Sequence, residues 1–168
     1  IIDYKKYHSN FSEIILTSNI LFLTGGHQKQ LYNNIIESKI NFKKLLLLYL
    51  KKKNLLVGTS AGASILGKRM PPMENNKLLC GIGLFNNIID QHFIVNRRFT
   101  RGLKYAIQYK KLSLIGIDED TMMIYRGATY DNKKKYWKVY GNSSVIIINI
   151  LNSNVNVKVY TSNDGLYI

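Results

Sequence analysis

Five residues, Gly58-Thr59-Ser60-Ala61-Gly62, stand between a short apolar run, Leu55 to Gly58, and a helix-like stretch, Ala61 to Met70. A strand that turns at once into a helix needs small residues at the corner, because the two backbones approach closely there. The G-x-S-x-G pattern therefore predicts a sharp strand–turn–helix corner that lifts Ser60 Oγ above the edge of a sheet. The Ala61 N–H would then lie at the helix start, where it can hold an oxyanion. Similar corners also cradle phosphates or serve as plain turns, so the pentapeptide alone leaves the chemistry open.

The pattern on either side suits that corner. Ser12 can cap a short helix through Thr17, and Ile20 to Thr24 reads as a buried strand ending at Gly25-Gly26. Helical spacing runs from Gln28 to Lys39 and again from Asn41 to Lys53, with Leu45 to Leu48 inward and lysines outward. Pro71-Pro72 stops the helix that begins at Ala61. A glycine-marked loop at Gly81 and Gly83 leads to a strand from Asn87 to Asp90, a helix from Phe99 to Lys110 and a strand from Leu114 to Asp118. Beyond Asp120, Met122 to Tyr125, Tyr136 to Tyr140, Val145 to Ile150 and Val155 to Tyr160 read as short strands. Strand–helix alternation followed by a strand-rich tail predicts one α/β domain over residues 1–168 with an antiparallel extension.

Composition removes several alternatives. The longest unbroken candidate for a membrane span, Leu45 to Leu50, falls far short of the ~18 residues required. A lone Cys80 gives no disulfide framework and favours a reducing, cytoplasmic setting. The chain opens at Ile1, which leaves an upstream secretion signal open. The net charge of +14 invites a nucleic-acid reading. Lysine, asparagine, isoleucine and tyrosine make up 71 of 168 residues, and all four have A/T-rich codons, so gene composition accounts for the surplus. The lysines are scattered and no aromatic-studded basic motif joins them, so no nucleic-acid partner is expected. Only five arginines occur, yet Arg97, Arg98 and Arg101 lie close together. Guanidinium is the side chain of choice for holding a carboxylate in a planar fork.

A serine nucleophile needs a base and an acid to orient it. Three histidines are available, His8, His27 and His92, of which His27 and His92 follow predicted strands. Asp118-Glu119-Asp120 follows another strand and holds three of the ten acidic residues. Functional groups gather at strand C-termini in open α/β sheets, which is where these residues fall.

Five segments in order, Phe22-Leu23-Thr24-Gly25-Gly26, Gly58-Thr59-Ser60-Ala61-Gly62-Ala63, Gly83-Leu84, Asp90-Gln91-His92-Phe93 and Gly116-Ile117-Asp118-Glu119-Asp120-Thr121, resemble the cyanophycinase branch of peptidase family S51. The resemblance runs from about Ile20 to Tyr125. It implies a three-layer, doubly wound α/β fold of the flavodoxin-like, class I glutamine amidotransferase-like kind, mainly parallel, with its opening N-terminal units missing from this chain. It also implies Ser60 as nucleophile, His92 as base and Glu119 as the orienting acid. Backbone N–H groups of Ala61 and of Gly25 and Gly26 would form the oxyanion hole. Gln28, Asp90, Gln91, Arg98 and Arg101 would line the substrate pocket.

The reaction so implied is serine-type hydrolysis of cyanophycin, an arginine-bearing polyaspartate, to β-aspartyl-arginine, with no cofactor and no metal. Other aspartyl or isoaspartyl peptides are the alternative substrates, and an inactive remnant acting as a binding module is the alternative of a different class. A homodimer is the expected assembly, with neither nucleic acid nor membrane as partner. Two positions depart from the family pattern: Asn96 stands where an arginine is usual, and His27 where Asp or Asn follows the double glycine.

Overall fold

The computed structural model describes residues 10–36, 40–72, 77–126 and 136–166. They fall into two compact units, Ile1–Asn86 and Asn87–Ile168.

In the first unit, helix α1 (Phe11–Thr17) leads into strand β1 (Ile20–Leu23), and helices α2 (Gln28–Ile36) and α3 (Phe42–Lys51) carry the chain to strand β2 (Leu55–Gly58). β1 and β2 pair in parallel, with Ile20 opposite Leu55 and Leu23 opposite Gly58. A parallel pair needs such a crossover, and helices supply it. Asn41 caps α3, its Oδ1 accepting from Lys44 N at 3.0 Å. The apolar face of α3 is Phe42, Leu45, Leu46 and Tyr49, all buried, whereas Leu47 and Leu48 are exposed. The expected run Leu45 to Leu48 is therefore inward only in its first half, because four consecutive residues cannot share one face of a 3.6-residue period. These side chains pack with Ile15, Leu21, Ile35, Ile65 and Met70 into one core.

The helix expected from Ala61 to Met70 is a correction. Helix α4 covers only Ala61–Ser64, and residues Gly67–Met70 form strand β3, paired antiparallel with β4 (Leu79–Cys80). Close backbone approach decides this: a Cβ on Gly81 would lie 2.1 Å from the Gly67 carbonyl oxygen, while Ile82 N donates to Ile65 O at 2.7 Å. Met73 and the end of the stretch Gln28 to Lys39 lie outside the described residues, as do His8 and the lysines at 5–6 and 133–135.

The second unit follows from strand β5 (Phe85–Gln91). Helix α5 (Phe99–Gln108) crosses to strand β6 (Ser113–Ile117), which pairs in parallel with β5, Gln91 opposite Ile117. β6 also pairs antiparallel with β9 (Val145–Leu151), and β9 with β10 (Asn154–Tyr160). Strands β7 (Thr121–Arg126), β8 (Tyr136–Gly141) and β11 (Gly165–Leu166) form a separate antiparallel sheet in the order β11-β8-β7. Ile88, Leu114 and Ile148 are buried in register on one face of the sheet, where Leu114 approaches Gly102 of α5, and Ile115 and Val145 are buried on the other. Parallel pairs joined through helices, then antiparallel strands, make this an α/β chain with mixed sheet pairing, as the pattern predicts. Among the described residues no helix is long and apolar enough to cross a membrane.

Candidate active site

Ser60 sits in the corner between β2 and α4 with φ 50° and ψ −119°. L-residues avoid this region, and it persists only where neighbouring structure enforces it. Both flanking glycines do so. A Cβ on Gly58 would stand 2.6 Å from Gly62 O, and one on Gly62 would stand 2.1 Å from Leu23 O. Thr59 N donates to Leu23 O at 3.0 Å, tying the corner to the end of β1. Gly25 follows at that end, and a Cβ there would lie 3.0 Å from Ser60 Cβ and 3.6 Å from its Oγ. Gly26 has φ +139°, open to glycine and strained for other residues. The first unit thus brings Ser60, Ala61 and the Gly25-Gly26 loop together.

His27 and Gln28 come next. The His27 carbonyl accepts from Leu31 N, and its Nδ1 lies 3.4 Å from Gln30 N, so this histidine is turned toward the opening turn of α2. Gln28 is 4% exposed, and its Nε2 has no hydrogen-bond partner among the described residues. A buried amide donor left unused is costly unless something else takes the bond.

The second unit holds the other residues. Gln91 and Ile117 end adjacent parallel strands in register, so His92 and Asp118-Glu119 emerge side by side. His92 Nδ1 lies 3.0 Å from Glu119 Oε1, with the two side chains 35% and 56% exposed. An ionised carboxylate can only accept, so this contact fits an imidazole that carries a proton on Nδ1. His92 has φ 51°. The next residue, Phe93, is buried against two glycines: a Cβ on Gly116 would meet its ring at 2.4 Å and one on Gly102 at 2.8 Å.

Asp90 is wholly buried and faces two guanidinium groups. Arg101 Nη2 donates to Oδ2 at 2.6 Å and to Oδ1 at 2.7 Å, and Arg98 Nη1 donates to Oδ1 at 3.0 Å and to Gln91 O at 2.6 Å. Two guanidinium groups thus share one buried carboxylate. Asp118 turns elsewhere. Partial burial pushes its carboxyl up, but hydrogen bonds from Ser143 and from the Val95, Ile94 and Glu119 N–H groups outweigh that and hold it below the ordinary 3.8. Neither Ser143 nor the seat of Phe93 was visible beforehand; the only signal for the latter is a glycine inside a helix, Gly102, and one inside a strand, Gly116. Among the described residues no three His, Cys, Asp or Glu side chains gather as a metal site.

With this geometry in view, comparison with known proteins is decisive at family level. The family model for peptidase family S51 matches residues 3–132. The chain belongs to peptidase family S51. It is similar to the cyanophycinase of Geminocystis herdmanii (strain PCC 6308), 28% identical over 149 residues that make up 83% of this chain and 52% of that one. The cyanophycinase of Trichormus variabilis (strain ATCC 29413 / PCC 7937) is 29% identical over 139 residues, 76% of this chain and 44% of its own. The S51 chain thus spans about half the length of these curated relatives. A crystal structure from Listeria monocytogenes EGD-e, of a protein assigned to peptidase E, matches 90% of this chain and 64% of its own at 16% identity, with a TM-score of 0.47.

Proposed function

We propose that this S51 chain is a serine exopeptidase of the cyanophycinase kind, hydrolysing cyanophycin to β-aspartyl-arginine dipeptides. The observation that carries the reading is the 3.0 Å contact between His92 Nδ1 and Glu119 Oε1, the arrangement in which an acid orients a base. Ser60, held in a strained corner, supports it as the nucleophile. In the proposed reaction Ser60 Oγ attacks the scissile carbonyl as its proton passes to His92 Nε2. The carbonyl oxygen, now anionic, takes hydrogen bonds from backbone N–H groups of Ala61 and of the Gly25-Gly26 loop. Collapse breaks the C–N bond, and the leaving amine takes the proton from His92. Water, deprotonated by His92, then cleaves the acyl-enzyme and restores Ser60.

Substrate recognition would use the unused Gln28 amide, Gln91, and the guanidinium groups of Arg98 and Arg101, a residue type that suits a substrate carboxylate. The peptide is the expected partner, a homodimer the expected assembly, and the cytoplasm the setting that the single Cys80 favours.

One observation favours a second substrate class. Arg98 and Arg101 both spend hydrogen bonds on Asp90, and Asn96 stands in place of a further arginine, so fewer cations are left for a polyaspartate. Other aspartyl or isoaspartyl peptides are the alternative. Incubating the protein with cyanophycin and with isoaspartyl dipeptides, beside S60A, tests both. β-Aspartyl-arginine released by the unmodified chain and not by S60A supports the first reading. Turnover of isoaspartyl dipeptides alone supports the second, and inactivity on both overturns the peptidase reading.

A further inference from the structure

Asp118 spans three loops of the second unit. Its Oδ1 accepts from Ile94 N at 2.9 Å and from Val95 N at 3.0 Å, and its Oδ2 accepts from Ser143 Oγ at 2.7 Å. Its own N–H donates to Ser144 O at 3.2 Å. The first two bonds hold the backbone immediately after His92. The last two hold the segment that leads into β9. Glu119, the partner of His92, is the next residue in the chain, so one turn carries both the acid that touches the imidazole and the acid that secures its backbone.

Backbone strain makes that support necessary. His92 itself at φ 51° and Asp120, the residue after Glu119, at φ 50° lie in the left-handed region, which non-glycine residues occupy only when surrounding structure over-determines them. Asp120 is held by Asn142 N, which donates to its carbonyl at 2.9 Å. On the His92 side, Phe93 N donates to Ile117 O at 3.2 Å, and the Asp118 carboxylate supplies the charge-assisted bonds.

We infer that Asp118 is a positioning residue for His92: by binding the Ile94 and Val95 N–H groups it holds the turn that keeps the imidazole on Glu119. The inference rests on the reading of His92 as the general base, but its test does not depend on turnover. The full chain is labelled with 15N at histidine and backbone amides, and the ring Nδ1–H signal of His92 is assigned by its disappearance in H92A. In D118A that signal is expected to vanish into exchange with water, while D118N, which keeps one acceptor oxygen, retains it. A folded D118A with the signal unchanged overturns the inference.

Should D118A fail to fold, the decision passes to D118N, in which a neutral acceptor replaces a charged one. There, hydrogen exchange at the Ile94 and Val95 amides is expected to quicken about tenfold, the loss of charge assistance to those bonds. Unchanged exchange at both amides overturns the inference. Where the unmodified chain turns over a peptide, D118A lowers kcat by about a hundredfold with KM nearly unchanged, as expected for a displaced base. A chain without turnover counts against the peptidase reading, and the His92 resonance still decides the role of Asp118.

Discussion

The ring of Phe93 lies where a side chain at Gly116 would have to go: a Cβ on Gly116 would stand 2.4 Å from ring Cγ. Phe93 is buried and directly follows His92, so the packing of an aromatic ring on bare backbone sets where the histidine leaves the sheet. G116A should therefore destabilise the protein by about 1–3 kcal/mol through overpacking. Truncation of the ring in F93A should cost about 3–5 kcal/mol. Urea denaturation of the two variants measures both, and a neutral G116A would refute the close contact.

Asp90 shares its charge between two partners, so its arginines should not act independently. R98A or R101A each leaves the buried carboxylate one guanidinium, whereas the double variant leaves an uncompensated buried charge, costing about 3–5 kcal/mol. The double loss should exceed the sum of the single losses by more than about 0.5 kcal/mol, beyond ordinary additivity. A double-mutant cycle by urea denaturation measures this, and strict additivity would remove Asp90 as the shared partner.

The strain at Ser60 predicts a conflict between stability and chemistry. S60G relieves a conformation that costs about 1–3 kcal/mol and loses about 0.5–1 kcal/mol to backbone entropy, so it should be more stable by about 1 kcal/mol. S60A keeps the Cβ and the strain and should gain little. Both should lose the proposed hydrolysis. Equal stability of S60G and S60A in urea would show that the corner is unstrained.

Among the described residues, Asp118 and Tyr105 contribute at opposite ends of the pH–stability profile. The Asp118 carboxyl is held below 3.8 in the folded chain, so below that value the unfolded chain binds its proton more readily. Its contribution is present above about pH 4 and is lost as pH falls through the folded value. Tyr105 is the reverse: burial, aided by Asp90 and Tyr109 and opposed by Arg101, pushes its phenol above 10.0. That contribution is complete below pH 10 and is lost as pH rises through the raised value. D118N should flatten the acid limb and Y105F the alkaline limb of stability measured by urea denaturation across pH. An acid limb unchanged in D118N would deny Asp118 its hydrogen-bonded role.

What was legible from residue order was whatever short-range physics governs. The G-x-S-x-G corner, the strand at Ile20–Leu23, helix α5 and the tail strands β7 to β10, though not the two-residue β11, follow from glycine placement and hydrophobic period. The stretch after Ser64 misled because its apolar residues suit a helix or a strand, and close approach between Gly67 and Gly81 settles it as a strand. His27 illustrates the same limit. It follows a strand end like His92, yet its ring faces its own helix start.

The sequence by itself determined the corner at Ser60, the strand ends expected at Asp90 and Asp118, each one residue from the observed Gln91 and Ile117, and membership of the chain's motifs in one family pattern. Only tertiary structure decided which acid meets which base. Asp118 and Glu119 are adjacent, but the parallel register of β5 and β6 turns Glu119 to His92 and gives Asp118 to the Ile94 and Val95 N–H groups. It likewise turned Arg98 and Arg101 onto Asp90. Turns and periods are set by neighbours a few residues apart, whereas an ion pair depends on ångström distances between residues that only strand pairing brings together.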